Sequence, residues 1–340
     1  MDVIDIPTLK QVVKRIVIDL EETVMIEGES GAGKSEAIAQ AVEEAGAMLV
    51  DVRLGQYDSV DMRGFPGVDK ATAQTTWYPP STLPFVGNPN FPTDKVIVIF
   101  FDEMTSASPP VFANAYQLTN DHSLGEHVLM PNVRIICAGN RSKDRGVVNR
   151  MPAPLCNRMT WFELKTSVKA WCEYAQSIGV PPMFVAFMNF RKNLLHTFDS
   201  EAPAKVFATP RTWMKAVKYY QSDLPDQLKR SAMQGAVGEG PANEFWGFHD
   251  VWHKVLPIKT IMADPLGCKL PDEESMKYAT AVSVSGAMNA KNTSTLYSFL
   301  KRMDAEYVIL AWTLALARDK QLFEHDAMID FSKRYRVVFQ

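Results

Sequence analysis

Residues 28–35 read Gly28-Glu29-Ser30-Gly31-Ala32-Gly33-Lys34-Ser35 and match the pattern GxxxxGK(S/T) at every fixed position. Glycines let the backbone fold into a nest whose N–H groups point at phosphates. A helix predicted to start at Lys34 adds its positive end. In this arrangement Lys34 reaches the β- and γ-phosphates, and the Ser35 hydroxyl ligates Mg²⁺. We therefore predict that residues 28–35, the P-loop, bind the phosphates of a nucleotide.

Apolar runs on both sides of the P-loop predict a parallel sheet. A β-type run precedes the loop, a helix rich in Ala and Glu follows it, and later runs predict further strands at residues 48–52, 96–101, 133–138 and 159–163. Strands that alternate with helical segments favour a parallel sheet with helices on both faces. Beyond about residue 165 the pattern is helical. We predict an α/β core at residues 1–164 and a helical region at 165–340.

A pair of carboxylates follows the most apolar of these runs. Residues 96–101 are all apolar and are followed by Asp102 and Glu103. Ligands of open α/β folds bind at the carboxyl ends of the strands, so both side chains are expected at the site. Asp102 would hold Mg²⁺ directly or through water, and Glu103 would orient and deprotonate an attacking water. The pair favours hydrolysis over transfer to an acceptor.

With these residues the chain resembles the AAA+ ATPases, specifically the MoxR-like branch with a dynein-related ATPase module. Three further segments carry the resemblance: Cys137-Ala138-Gly139-Asn140, similar to the sensor-one strand; Met151-Pro152-Ala153-Pro154-Leu155-Cys156-Asn157-Arg158, similar to the arginine-finger segment; and Ala208-Thr209-Pro210-Arg211-Thr212-Trp213, similar to the sensor-two lid motif. Residues 61–84 resemble the helix-two insert, and residues 122–130 resemble the hairpin before sensor one.

The resemblance implies a role for each of these polar residues. Asn140 would polarise the lytic water, and Arg158 would reach the nucleotide of a neighbouring subunit. Arg145 and Arg150 lie close to Arg158 in the sequence, and one of them could share or take over the finger role. Arg211 would contact the γ-phosphate.

Local physical chemistry agrees with this position for Arg211. Thr209 as N-cap and Pro210 at the first helical position predict a helix start. Arg211 then falls in the first turn, where the helix dipole disfavours a cation. A phosphate opposite Arg211 would supply the missing anion.

The resemblance also implies an assembly and cofactors. Its members are ATP- and Mg²⁺-dependent homo-oligomeric rings, usually hexamers, with an AAA+ core, a helical lid and here a helical extension. They remodel a protein client, and many act beside a partner with a von Willebrand factor A-type metal-binding domain. The sequence thus predicts a ring-forming ATPase that acts as a motor or chaperone.

Composition limits the alternatives. The net charge of −3 gives no general attraction to nucleic acid or anionic membrane. The four cysteines form no CxxC pair, and we found no signal peptide and no apolar run of about 20 residues, so we expect a cytoplasmic protein without a membrane association. Two rival functions stay open, a slow nucleotide-gated switch and a nucleic-acid motor or loader; the latter rests on four residues of the insertion, namely Arg63, Phe65, Lys70 and Trp77. A P-loop kinase is disfavoured by Asn140 and the arginine series.

Overall fold

The computed structural model describes residues 2–71, 73–141, 149, 151–199, 201 and 204–335. The chain divides into two compact units. Unit 1 comprises Met1–Trp171 and His196–Met214, and unit 2 comprises Cys172–Leu195 and Lys215–Gln340. All the described strands lie in unit 1.

The strands of unit 1 are β1 (Asp2–Ile4), β2 (Val24–Gly28), β3 (Met48–Arg53), β4 (Phe65–Asp69), β5 (Gln74–Tyr78), β6 (Ile97–Asp102), β7 (Ser123–Leu124), β8 (His127–Val128), β9 (Val133–Gly139) and β10 (Thr160–Leu164). Among the described residues, six of them form one parallel sheet in the order β1-β10-β2-β9-β6-β3. The five strands expected from apolar runs are all present. The edge strand β1 was not predicted, because three residues are too few to show a pattern.

The α-helices are α1 (Ile6–Gln11), α2 (Lys34–Glu44), α3 (Ser59–Arg63), α4 (Pro109–Asp121), α5 (Ala153–Cys156), α6 (Val168–Ser177), α7 (Pro182–Phe190), α8 (Pro210–Gln221), α9 (Asp226–Val237), α10 (Glu239–Trp252), α11 (Ile258–Ala263), α12 (Glu274–Ala287), α13 (Thr293–Leu300), α14 (Ala305–Arg318) and α15 (Asp326–Arg334). A π-helical stretch, Val12–Asp19, continues α1, and short 3₁₀ turns occur at Leu54–Gln56, Met104–Ser106, Lys192–Leu194 and Lys320–Glu324. Within the described ranges, none of the helices is both long and apolar enough to cross a membrane.

The central strand β6 shows why the sheet is covered on both faces. Ile97, Ile99 and Phe101 pack into a core that includes the buried face of α4. Val98 and Phe100 point the other way, into a core shared with α1 and α2. Successive strand residues face opposite sides, so an uninterrupted apolar run fits a strand that is buried on both. The predicted fold class, a parallel sheet with helices on both faces followed by a helical region, is confirmed.

The first helix begins earlier than its sequence suggests. Thr8 and Gln11 have the spacing of a capping box, which predicts a start after Thr8. In the structure α1 starts at Ile6, and the Asp5 carboxylate accepts a hydrogen bond from the Thr8 N–H at 2.9 Å. Pro7 is tolerated because the first turn of a helix needs no N–H donor there. Asp5, not Thr8, is therefore the N-cap.

The two segments that resemble family insertions form hairpins. Strands β4 and β5 pair antiparallel, and so do β7 and β8. The Arg63 guanidinium lies 4.2 Å from the centre of the Trp77 ring, and the main-chain N–H of Trp77 donates to the Glu126 carboxylate at 2.9 Å. Phe65 and Tyr78 are exposed. The first hairpin thus presents large apolar side chains to solvent and is linked to the loop of the second.

Unit 2 is helical in the described residues, and its core is rich in aromatic side chains. The Phe184 and Phe245 rings lie 4.3 Å apart, between α7 and α10. Trp312 of α14 stacks on Phe331 of α15 at 5.1 Å. Aromatic pairs in these geometries add stabilisation beyond the burial of their surface. These helices agree with the helical pattern predicted beyond about residue 165.

Candidate nucleotide site

The P-loop connects the carboxyl end of β2 to the first turn of α2. Gly31 and Gly33 have φ angles of +75° and +92°, in the left-handed region that glycine enters at no steric cost. Gly31 also lies against the segment before α8: a Cβ built on it would be 2.8 Å from Thr209 Oγ1. Gly31 is therefore required by both backbone conformation and close packing, and the motif residue Gly33 by backbone conformation.

The ammonium group of Lys34 is buried and turned back onto the loop. Its Nζ donates to the carbonyl oxygens of Gly28 and Glu29 at 2.8 and 3.0 Å. It also lies 3.2 Å from the side-chain oxygen of Asn140. Lys34 and Asn140, 106 residues apart in the sequence, are thus direct neighbours at the loop.

A hydroxyl and a carboxylate meet beside this lysine. Ser35 Oγ donates to Asp102 Oδ2 at 2.7 Å, and Asp102 is buried. The Glu103 N–H donates to the other carboxylate oxygen at 2.8 Å. Oxygen donors of this kind are the ligands that Mg²⁺ prefers, and it usually takes only one or two of them from a protein. The two side chains fit the magnesium site that the sequence predicts.

Glu103 stands in an uncommon backbone conformation. Its φ and ψ angles are +54° and +30°, left-handed for a residue that has a side chain. Such strain costs on the order of 1–3 kcal/mol and persists where the surroundings impose it. The side chain is exposed, and a Cβ on Gly55 would lie 3.2 Å from Glu103 Oε2. The turn thus places an exposed acidic side chain directly after Asp102 in the chain, with its carboxylate close to Gly55.

Sheet order places Asn140 between the P-loop and the carboxylates. Strand β9 lies between β2 and β6, so the residue after its carboxyl end falls between Gly28 and Asp102. The Asn140 N–H donates to Thr105 Oγ1 at 3.1 Å, which fixes the backbone there. Thr105 follows Glu103 by two residues, so the short turn that begins at Glu103 also holds the backbone of Asn140.

The two arginines of the predicted series are exposed. Arg158 lies in the turn between α5 and β10, and Arg211 lies in the first turn of α8. Within the part of the chain that the structure describes, neither side chain makes an ion pair. Thr209 Oγ1 accepts from the Thr212 N–H at 3.1 Å, so the predicted N-cap is confirmed. Arg145 and Arg150 lie outside the described residues.

Sequence reasoning missed the residues that hold the side chain of Glu29. Its Oε1 accepts from Arg141 at 2.7 Å, and its Oε2 lies 3.4 Å from His196 Nδ1 and 3.3 Å from Thr166 Oγ1. Burial raises the pKa of the Glu29 carboxyl, but His196 and Arg141 outweigh this effect, and its pKa lies below the ordinary value. The motif allows any residue at position 29. The one sequence signal was an acidic residue within a phosphate-binding loop, whose charge calls for partners.

A cavity of about 460 Å³ opens beside the P-loop strand. It lies at the carboxyl ends of β1 and β10, and β10 pairs with β2 up to Gly28. Its walls come from seven residues, Val3, Ile4, Asp5, Thr8, Lys165, Thr166 and Ser167. Since Thr166 also contacts Glu29, the cavity adjoins the loop.

Comparison with known proteins gives structural neighbours only. No family model matches the chain, and no curated protein matches it. It is similar in structure to NtrX from Brucella abortus in complex with ADP, at 13% identity and a TM-score of 0.40, over 96% of this chain and 67% of that one. It is also similar to a point mutant of RuvB from Thermotoga maritima, at 14% identity and a TM-score of 0.37, over 87% and 88% of the two chains.

A third neighbour is Hsp104 in a closed state with ATPγS and FITC-casein, at 14% identity and a TM-score of 0.36. The alignment covers 76% of this chain but only 44% of the Hsp104 chain. Because the TM-scores of these neighbours are only 0.36–0.40, they carry no functional argument, and any functional conclusion rests on the residues of the site.

Proposed function

We propose that this chain is a Mg²⁺-dependent ATPase of the AAA+ type. The observation that carries the proposal is the convergence of Lys34, Ser35, Asp102 and Asn140 at one edge of the parallel sheet. These residues come from three different strand ends, yet each lies within hydrogen-bonding distance of another member. A nucleoside triphosphate with Mg²⁺ requires these groups: a cation, a hydroxyl, a carboxylate and an amide beside a backbone nest.

The arrangement suggests how hydrolysis proceeds. Lys34 would exchange the carbonyls of Gly28 and Glu29 for phosphate oxygens, and Ser35 and Asp102 would hold Mg²⁺. The metal, when bound, neutralises charge that develops on the phosphates. Glu103 would accept the proton of the attacking water. Its exposed carboxylate and its position next to Asp102 support this role.

Asn140 and the cavity beside the loop would complete the site within one chain. Asn140 would hold the attacking water by its side-chain amide, because it lies between the lysine and the acidic pair. The cavity lined by Ile4, Asp5 and Thr166 adjoins the loop and is of the size that small-molecule sites have. We assign the base and ribose of ATP to it.

We further propose that the chain works as a ring of the MoxR-like branch. An exposed arginine without an ion pair in the described residues, Arg158, suits a finger that completes a neighbouring subunit's site. Arg211 would act on the γ-phosphate from the first turn of α8. In this proposal residues 1–164 are the ATPase core and residues 165–340 are the lid and helical extension.

A protein client is favoured over nucleic acid by the first hairpin. Phe65, Val68 and Tyr78 are more than half exposed there. Arg63 and Lys70 are matched by Asp61 and Asp69 within residues 61–84, so the segment has no net positive charge to attract a phosphate backbone. We propose that this surface contacts a protein partner, either a client or a metal-binding von Willebrand A-type domain.

The test combines mass in solution with the rate of ATP hydrolysis. We expect wild type to hydrolyse ATP as a ring-sized oligomer and Glu103→Gln to bind ATP with at least about a 100-fold loss of turnover. Arg158→Ala should assemble but hydrolyse poorly, whereas Arg15→Ala, at another exposed arginine, should behave as wild type. Full activity in a monomer together with a silent Arg158→Ala would refute the ring. No hydrolysis in wild type at any concentration would refute the ATPase.

A further inference from the structure

The Glu29 cluster consists of five side chains around the second residue of the P-loop: Glu29, Arg141, Glu163, Thr166 and His196. Arg141 bridges the two carboxylates, at 2.7 Å from Glu29 and 3.1 Å from Glu163. The side chains of Arg141 and His196 are only 16% and 10% exposed, so the cluster is largely shielded from water. Ion pairs in such a setting are screened less than pairs on the surface.

The cluster offsets an unfavourable negative charge in the loop. A carboxylate within a phosphate-binding loop would repel the negatively charged phosphates. Here the Glu29 carboxylate is turned to the cationic side chain of Arg141 and to the ring of His196. Part of its charge is thereby offset, since Arg141 is shared with Glu163, and the carboxylate becomes an anchor for neighbouring groups.

His196 uses this anchor to hold the loop backbone. Its Nδ1 faces the Glu29 carboxylate, and its Nε2 lies 3.2 Å from the carbonyl oxygen of Ser30. Because carbonyl and carboxylate oxygens can only accept, both ring nitrogens must act as donors if the imidazole is to be held at Glu29 and to bond the Ser30 carbonyl. The imidazole therefore connects the side chain of one P-loop residue to the main chain of the next.

The direction of the Ser30 carbonyl sets the direction of the Gly31 N–H. In a planar trans peptide the carbonyl oxygen and the following amide hydrogen point to opposite sides. When His196 draws the Ser30 oxygen outward, the Gly31 N–H must point the other way, toward the hollow of the loop. That N–H is one of the donors a nest offers to an anion.

A second contact keeps His196 at this place. The Thr197 N–H donates to the Ala208 oxygen at 3.0 Å, and the Ala208 N–H donates to Thr197 Oγ1 at 2.9 Å. The residues that flank this pair, His196 and Thr209, therefore lie side by side against the loop. Thr209 packs on Gly31 itself. His196 and Thr209 thus contact two consecutive residues of the loop, Ser30 and Gly31.

We propose that His196 is a positioning residue of the phosphate site: held by Glu29, it fixes the Ser30 carbonyl and thereby aims the Gly31 N–H at the phosphates of the nucleotide. His196 touches no phosphate in this scheme. The proposal rests on the proposed function, since it needs the P-loop to bind a nucleotide. It adds to the determinants of affinity a residue that lies 166 positions from Ser30 in the sequence.

The test measures the affinity of N-methylanthraniloyl-ADP and the melting temperature of each variant. His196→Leu should weaken binding about tenfold, the size of one lost hydrogen bond. His196→Gln should recover affinity to within about threefold, because its amide can donate to the same carbonyl. The matched control, His253→Gln, changes an exposed histidine of unit 2 and should bind as wild type. If His196→Leu does not fold, His196→Ala takes its place.

Three outcomes decide the matter. Rescue by glutamine but not by leucine, with similar melting temperatures, supports the positioning role. Wild-type affinity in folded His196→Leu, or equal losses in the leucine and glutamine variants, overturns it while leaving the proposed function intact. Failure of wild type to bind the labelled ADP any better than Lys34→Ala overturns the proposed function and, with it, this inference.

Discussion

Ser35 donates a hydrogen bond of 2.7 Å to Asp102, a residue 67 positions further along the chain. The serine lies in the first turn of α2, and the aspartate ends β6. Folding therefore brings the two halves of the predicted Mg²⁺ site together. Because the two side chains are in direct contact, we expect substitution of either residue to affect the same site.

For this metal site we expect Ser35→Ala and Asp102→Asn to lose the response to Mg²⁺. Hydrolysis should fall at least about 100-fold, since the cation contributes several kcal/mol to the transition state. Binding of labelled ADP in EDTA should stay near that of wild type. Glu36→Gln, at an exposed acid next to Ser35, serves as the control. Retention of Mg²⁺-stimulated hydrolysis in Asp102→Asn would rule out its role as a ligand.

Backbone strain at Glu103 predicts an unusual order of stabilities. Because its φ is +54°, Glu103→Gly should resist urea better than Glu103→Ala by about 1 kcal/mol. At Glu36, in the first turn of α2, the order should be reversed, since alanine favours a helix and glycine disfavours it. Equal stabilities of the two variants at position 103 would mean that the left-handed conformation carries no strain. Both variants at 103 should lack hydrolysis.

The contact between Asn140 and Lys34 predicts opposite effects of two substitutions. Asn140→Asp would place a charge at 3.2 Å from Nζ, and a charge-assisted bond would hold the lysine away from phosphates. Affinity for labelled ADP should fall about tenfold or more. Asn140→Ala frees the lysine and should keep affinity while turnover drops about 100-fold.

The control for Asn140 is Asn120→Asp, an isosteric change in α4. It introduces the same charge without the contact to Lys34 and should bind ADP as wild type. If both aspartate variants bind equally well, the lysine does not need to leave Asn140 for the phosphate, and the proposed exchange of partners is wrong.

Stability toward acid should depend on Glu29. Its pKa is lowered in the folded protein from an ordinary value of 4.5, because His196 and Arg141 outweigh the effect of burial. The stabilisation is therefore fully present above about pH 4.5 and is lost as the pH falls through the folded pKa. Glu29→Gln should flatten the dependence of the melting temperature on pH in this acidic window.

Arg141→Gln is the companion to this experiment. It removes one of the three groups that favour the Glu29 carboxylate, so it should reduce the same dependence without abolishing it. Variants whose melting temperatures fall with acid as steeply as that of wild type would show that the cluster does not stabilise the ionised carboxyl.

Much of the fold follows from local patterns in the sequence. The run at residues 96–101 is apolar throughout because β6 is buried on both faces, and strands of this kind are recognisable without any knowledge of their neighbours. The P-loop is equally recognisable in the sequence, since its glycines and Lys34 must stand at fixed spacings to form one nest. The N-cap Thr209 follows from residues within one turn.

Other features depended on residues distant in the sequence and were decided by tertiary structure. Strand β1 exists because β10 offers it a partner, and the left-handed turn at Glu103 is visible only in three dimensions. The partners of Glu29 lie 112 and more positions away, and no local pattern links them. A motif records the spacing that local geometry demands, whereas the sheet order decides which distant side chains meet at the loop. Sequence alone thus determined the phosphate loop and the acidic pair, and only the tertiary structure decided that Arg141 and His196 support the loop.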